Sequence, residues 1–327
     1  MSPHRLIDPE LRDLATNLVF DFDTGIDAVR KQIAAGSAPA VETPEDLMVF
    51  EEFAPGISGA PPVRVIVTAP RAKRTGRPGI LHIHGGGYVT GSADKTAFTD
   101  ATYARRVDAV VVSVDYRLAP ETPYPGPLDD CHAALSWLVD SADRLGVDPD
   151  RIAVCGQSAG GGLAAALVLR LRDGGGPEVA FQHLVYPMLD DRTGFTTDPP
   201  EAMGRWVWTR ANNRFGWSAL LGDSAGGPDV PCYAAAARAT DLSGLPPTFI
   251  VCGSLDLFLP EDLDYAYRLM AAGVSVELHV YPGATHGFTS VRGSAVTRRL
   301  VGDSAAALRR ALGTDTGPGP DADNPAR

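Results

Sequence analysis

Apolar residues follow two rhythms along this chain. Short runs rich in Val and Ile recur, clearest at Val63-Arg64-Val65-Ile66-Val67, Gly79-Ile80-Leu81-His82-Ile83-His84 and Ala109-Val110-Val111-Val112-Ser113-Val114. Further runs lie at 151–155, 181–185, 248–252 and 276–280. Each has the length and β-branched content of a buried strand. Between most of them lie segments with apolar residues at three- and four-residue spacing: 129–145, 163–172, 261–272 and 296–312. These read as amphipathic helices. Continuous apolar strands alternating with helices predict an α/β fold, a mostly parallel central sheet with helices on both faces. No internal repeat interrupts the pattern.

Two stretches break the alternation. Residues 1–45 carry helical patches but no strand run. Residues 190–222 are long for a helix–strand connection and carry Phe195, Met203, Trp206, Trp208, Phe215 and Trp217. Long connections of this kind usually cover a site. The two stretches are expected to pack together as a helical cap over the C-terminal edge of the sheet. The chain then divides into an N-terminal cap segment (1–45), a main domain (46–312) with a cap insertion at about 190–222, and a tail (313–327). The tail is rich in Gly, Pro and Asp and is expected to be disordered.

Composition adds limits. At 327 residues, with 44% apolar and 21% charged residues, the chain suits one large globular domain. A net charge of −11 disfavours nucleic acid or an anionic membrane as the main partner. No apolar run approaches ~18 residues, so no membrane span is expected. Met1-Ser2-Pro3-His4-Arg5 does not open a secretory signal. Cys131, Cys155, Cys232 and Cys252 lack C-x-x-C spacing, and two lie in strand runs, which points to reduced thiols and a cytoplasmic protein.

The chemistry centres on Gly156-Gln157-Ser158-Ala159-Gly160. This G-x-S-x-G follows a strand run and precedes an Ala-rich helical segment, the context of a nucleophile elbow. A second copy, Gly222-Asp223-Ser224-Ala225-Gly226, has no strand before it and Gly227-Pro228 after it, so Ser224 reads as a loop serine. A serine nucleophile needs a base oriented by a carboxylate. Of the seven histidines, only His286 lies in a Gly-rich loop directly after a strand run. Asp256 follows the run at 248–252, giving the chain order Ser158, Asp256, His286. Glu261 and Asp262, close by, read as acidic residues at a helix start. His84-Gly85-Gly86-Gly87, after another strand, supplies glycines for close backbone approach to a developing oxyanion. His82 and His84 share a strand face, but no third ligand accompanies them at a metal-site spacing.

With these residues in place, the chain resembles the hormone-sensitive-lipase-like branch of the α/β-hydrolases. The likeness includes Asp115-Tyr116-Arg117-Leu118-Ala119-Pro120-Glu121, Asp129-Asp130-Cys131 leading to Trp137, and Asp241-Leu242-Ser243-Gly244-Leu245-Pro246-Pro247. With His286-Gly287-Phe288, it runs in order over about residues 60–290. The resemblance implies an α/β-hydrolase catalytic domain over 46–312, a Ser158–His286–Asp256 triad, and oxyanion donors at Gly85, Gly86 and Ala159. It implies hydrolysis of short- to medium-chain carboxylic esters through an acyl-enzyme, with no metal or organic cofactor and a small-molecule ester as the partner. Homodimers are common in the family, though no stretch of sequence marks an interface. Two departures stand out: Gln157 occupies a position often held by Asp, and Asp256 is followed by Leu257-Phe258-Leu259-Pro260-Glu261 instead of Pro-Leu and an acidic pair.

The same triad would serve an amidase or a small-metabolite deacetylase. A non-catalytic receptor on this fold usually lacks a triad member, and all three are present here. Met203, Trp206 and Trp208 are candidates to line the substrate pocket, with the cap's own core as the competing role. A single His base predicts activity rising from mildly acidic to alkaline pH.

Overall fold

The computed structural model describes residues 3–35 and 43–314; the expected tail falls almost wholly outside this range. Eight strands form one sheet: β1 (Leu47–Ala54), β2 (Val63–Pro70), β3 (Arg77–Ile83), β4 (Val110–Val114), β5 (Val147–Gln157), β6 (Phe181–Val185), β7 (Thr248–Gly253) and β8 (Val276–Tyr281). Their order is β1-β2-β4-β3-β5-β6-β7-β8, with β1 and β2 antiparallel to their neighbours and the other pairs parallel. The helices are α1 (Arg12–Asn17), α2 (Ile26–Ala35), α3 (Ala97–Val107), α4 (Gly126–Asp140), α5 (Ala142–Leu145), α6 (Ala159–Gly174), α7 (Arg210–Leu221), α8 (Leu259–Ala271) and α9 (Ala295–Ala311).

The central strand runs are largely apolar because both faces of the sheet are covered there. Side chains alternate across a strand. In β4, Val110, Val112 and Val114 enter a core shared with Leu128 and Leu135 of α4 and Leu163 and Leu167 of α6. Val111 points the other way, into a core with Tyr103, Ala104 and Val107 of α3 and Leu300 and Leu308 of α9. All five β4 side chains are buried, each large apolar one contributing roughly 1.5–3 kcal/mol.

Two helices and a strand were not legible in the periodicity. The buried stripe of α3 contains Asp100, and that of α7 contains Asn212 and Asn213. Each polar residue is satisfied. Asp100 meets His82 Nδ1 at 2.6 Å and accepts from the Thr96 and Ser113 hydroxyls. Asn213 accepts from Trp208 Nε1 at 3.1 Å and donates to the Thr193 carbonyl. β1 is an edge strand with Val49 and Phe53 exposed, so its pattern lacks a clean buried face.

The N-terminal residues and the 190–222 stretch meet above the C-terminal ends of the parallel strands. Phe22 stacks on Phe215 at 4.3 Å, and Phe20 and Phe22 turn their edges to Trp208. Asn212 Nδ2 donates to the Phe20 carbonyl, and Val19 bridges Val207. No described helix is long and apolar enough to cross a membrane.

Candidate active site

Ser158 stands between the end of β5 and the first residue of α6, with φ 56° and ψ −125°. That is a left-handed backbone, costly for any residue but glycine. The turn is held by its neighbours. The Ser158 amide donates to the Val185 carbonyl at 2.9 Å, and its carbonyl accepts from Gly162 and Met188 at 3.0 Å. A Cβ on Gly156 would collide with the Gly160 carbonyl, and one on Gly160 with the carbonyls of Ile83 and His84. Both glycines are therefore required for β5, the turn at Ser158 and the loop after β3 to lie this close.

His286, between β8 and α9, lies with its Nε2 2.9 Å from Ser158 Oγ and its Nδ1 2.8 Å from Asp256 Oδ2. A carboxylate accepts, so Nδ1 carries the proton and Nε2 is left to accept from the serine hydroxyl. The other Asp256 oxygen accepts the Phe258 amide at 3.1 Å. All three side chains are buried, Asp256 completely. Tyr186 and Phe258 pack on the imidazole at 4.6 and 5.1 Å and fix its plane. The structure thus brings together Ser158, Asp256 and His286, while Ser224 sits exposed on a short 3-10 turn with no strand before it.

The loop after β3 is braced from beneath. His84 Nδ1 donates to the Gly85 carbonyl at 2.8 Å, its ring stacks on Tyr116 at 4.1 Å, and the Tyr116 hydroxyl donates to the His84 carbonyl. Burial lowers the His84 pKa to about 4, so the ring is neutral and its role is scaffolding. His82 is committed to Asp100, and no described group of His, Cys, Asp and Glu is arranged to hold a metal. The amides of Gly85, Gly86 and Ala159 donate to no acceptor among the described residues. Ala159 opens α6, where the first N–H groups have no partner within the helix.

A cleft of about 180 Å³ surrounds Ser158 and His286. Gly85, Gly86, Phe20, Phe22 and Trp208 line it. Of the three aromatic or thioether candidates, only Trp208 reaches this wall. Trp206 is buried in the α3–α9 core beside His4, and Met203 packs against the same core. A stripe of large side chains in a short segment cannot reveal which of them faces the cleft. Phe20, Phe22, Tyr186 and Val207 also line the cleft. Nothing in a single-sequence pattern separates them from core residues.

Glu261 and Asp262 do lie in the first turn of α8, but both are buried there. The Glu261 carboxylate accepts the Leu189 amide at 2.7 Å, the Asp190 amide at 3.2 Å and the Thr193 hydroxyl. It therefore anchors the start of the 190–222 stretch. Asp262 is fully buried beside Glu261 and Asp256, and burial pushes its pKa well above the carboxylate range.

Residues 80–290 match a family model described as the alpha/beta hydrolase fold. The chain is 37% identical over 314 residues to the carboxylesterase NlhH of Mycobacterium tuberculosis, covering 94% of this chain and 96% of that one. It is 34% identical over 304 residues to the esterase LipI of the same organism, covering 88% and 89%. Among solved structures it is similar to a bacterial heroin esterase, with a TM-score of 0.88 and 42% identity over 95% of this chain and 99% of that one.

Proposed function

The chain belongs to the α/β-hydrolase family, in its hormone-sensitive-lipase-like branch, and from that membership we propose that it hydrolyses short- to medium-chain carboxylic esters through an acyl-enzyme. The observation that carries the proposal is the buried Ser158–His286–Asp256 relay at a strained turn.

In this reading His286 Nε2 takes the Ser158 proton as Oγ attacks the ester carbonyl. The amides of Gly85, Gly86 and Ala159 receive the oxyanion, with the α6 N-terminus adding its partial positive charge. His286 then returns the proton to the departing alcohol. Water, deprotonated by His286, attacks the acyl-enzyme and releases the acid. Asp256 holds the tautomer and stabilises the imidazolium. The residues of 3–35 and 190–222 act as a cap that keeps the cleft small, and a space of about 180 Å³ favours short acyl groups. Four free cysteines, three of them buried, support a reducing compartment such as the cytoplasm.

The test is turnover of a p-nitrophenyl ester series from acetate to palmitate, run with wild type and Ser158→Ala. Activity highest at short chains and abolished in the variant supports the proposal. Wild-type inactivity across the series overturns it.

A further inference from the structure

Beside the catalytic cleft lies a larger cavity, about 490 Å³, between α3 and α9. Gln157, Thr289 and Ser290 line both spaces and so stand at their border. Gln157 is adjacent to Ser158 in the chain, and its amide makes no hydrogen bond among the described residues. Thr99, Thr102 and Ser304 are among the cavity's lining residues.

The charge of this cavity opposes that of the molecule. The chain carries a net −11, yet the charged residues lining the cavity are Lys95 and Arg292, with no Asp or Glu among the lining residues. Arg292 lies over the Phe98 ring at 4.1 Å, which holds the guanidinium at the rim, and it has no carboxylate partner among the described residues. A cationic space on an anionic protein attracts a negative group and orients it.

We propose that this cavity receives one arm of the ester substrate, and that this arm ends in a carboxylate. The proposal rests on the esterase reading and adds the substrate class. Gln157 and Ser290 form the threshold that the arm crosses. Lys95 and Arg292 meet its charge, while the ester carbon stays at Ser158.

The experiment compares charged and neutral substrates of equal length on each arm. For the acid arm these are p-nitrophenyl hexanoate and the mono-p-nitrophenyl ester of adipic acid. For the alcohol arm they are hexyl acetate and 6-acetoxyhexanoate. The readout is the charged-to-neutral ratio of kcat/KM within each protein, which cancels any loss of folded enzyme. On one arm the ratio should fall about three- to tenfold in Lys95→Glu and Arg292→Glu, the scale of solvent-exposed ion pairs reversed in sign. The wild-type ratio on that arm should also fall as salt is raised. Ratios unchanged by both substitutions on both arms overturn the assignment. p-Nitrophenyl acetate separates the two failures: turnover of acetate with unmoved ratios sinks only the cavity, whereas no wild-type turnover of any ester sinks the esterase reading and this proposal with it.

Discussion

Arg30 of α2 grips Glu121 with two hydrogen bonds, 2.7 and 2.9 Å, although 91 residues separate them. The same guanidinium donates to the Val89 carbonyl at 2.9 Å and the Ala119 carbonyl at 3.2 Å. Val89 closely follows Gly85, Gly86 and Gly87, which line the cleft, so one side chain ties the N-terminal segment to its floor. The pairing draws the Glu121 carboxyl down to about 2. Glu121 is largely solvent-exposed, so the ion pair itself adds little stability. Its consequence is positional. Arg30→Ala should raise KM about three- to tenfold while kcat changes about twofold or less, the signature of lost substrate positioning. Steady-state kinetics on p-nitrophenyl butyrate will show this, and an equal fall in kcat would argue against it.

Removing the proposed nucleophile or its proposed base should disable the enzyme without unfolding it. Ser158→Ala and His286→Ala are each expected to lower kcat roughly 10³-fold or more, and the double variant scarcely further, because the groups act as a unit. Circular dichroism and thermal melts should overlay those of wild type for Ser158→Ala. A Ser158→Ala protein that retains a tenth of its activity would move the nucleophile elsewhere.

Gly86 has φ 130°, and a Cβ there would collide with the Thr90 carbonyl and hydroxyl. Gly86→Ala must therefore shift the loop that presents two of the three free amides. The expected loss is about 10²-fold in kcat, the usual effect of a displaced oxyanion donor. KM for a short ester should change far less.

Much of the fold was written in the periodicity because the central strands are buried on both faces, which makes their runs rich in Val, Ile and other apolar residues. α3 and α7 escaped because Asp100, Asn212 and Asn213 interrupt their apolar stripes, and only tertiary partners such as His82 and Trp208 explain those residues. The three residues of the proposed triad could be picked out because each follows its own strand. Which aromatics face the cleft could not be. Trp206 and Trp208 are two positions apart, yet one points into the core beside His4 and the other onto Gly87 and the cleft. That choice is set by the irregular path of 190–222, where no helical or strand period applies. Glu261 taught the same lesson from the opposite direction. An acidic residue in a helix's first turn looks like a dipole partner, yet it is a buried anchor for Leu189, Asp190 and Thr193.

Trp208 lines the cleft. Its ring meets Phe20 and Phe22 edge-on at 6.4 and 6.2 Å, and it is almost wholly buried. Trp208→Leu should enlarge the 180 Å³ space and move the acyl optimum to chains longer by a few carbons. The truncation leaves a partial cavity and strands Asn213 Oδ1 without its donor, so stability should also fall, by about 2–4 kcal/mol. Chain-length profiles and denaturant melts measure the two effects separately. An unchanged profile with lowered stability would mean that Trp208 serves only packing.

The pH dependence of stability should carry the mark of buried neutral histidines. His183 stacks on Phe249 at 4.7 Å, and neither ring nitrogen has a hydrogen-bond partner. Burial depresses its pKa to about 3, and that of His84 to about 4. In the unfolded chain both rings take up a proton near the ordinary histidine value of about 6.5. Below that pH the unfolded state binds protons that the folded state refuses, so stability falls as pH drops. Each ring contributes up to about 1.4 kcal/mol per pH unit, from about pH 6.5 down to its folded pKa. Above pH 6.5 neither contributes a slope. Carboxylates add their own dependence in the acid range, so the test is a difference between two proteins. His183→Phe keeps a flat ring against Phe249 and removes the titration. Melting temperatures from pH 7.5 to 4.5 should fall less steeply for His183→Phe than for wild type, the curves diverging only below about pH 6.5. Parallel curves across the whole range would show that His183 titrates alike in both states, contrary to its burial.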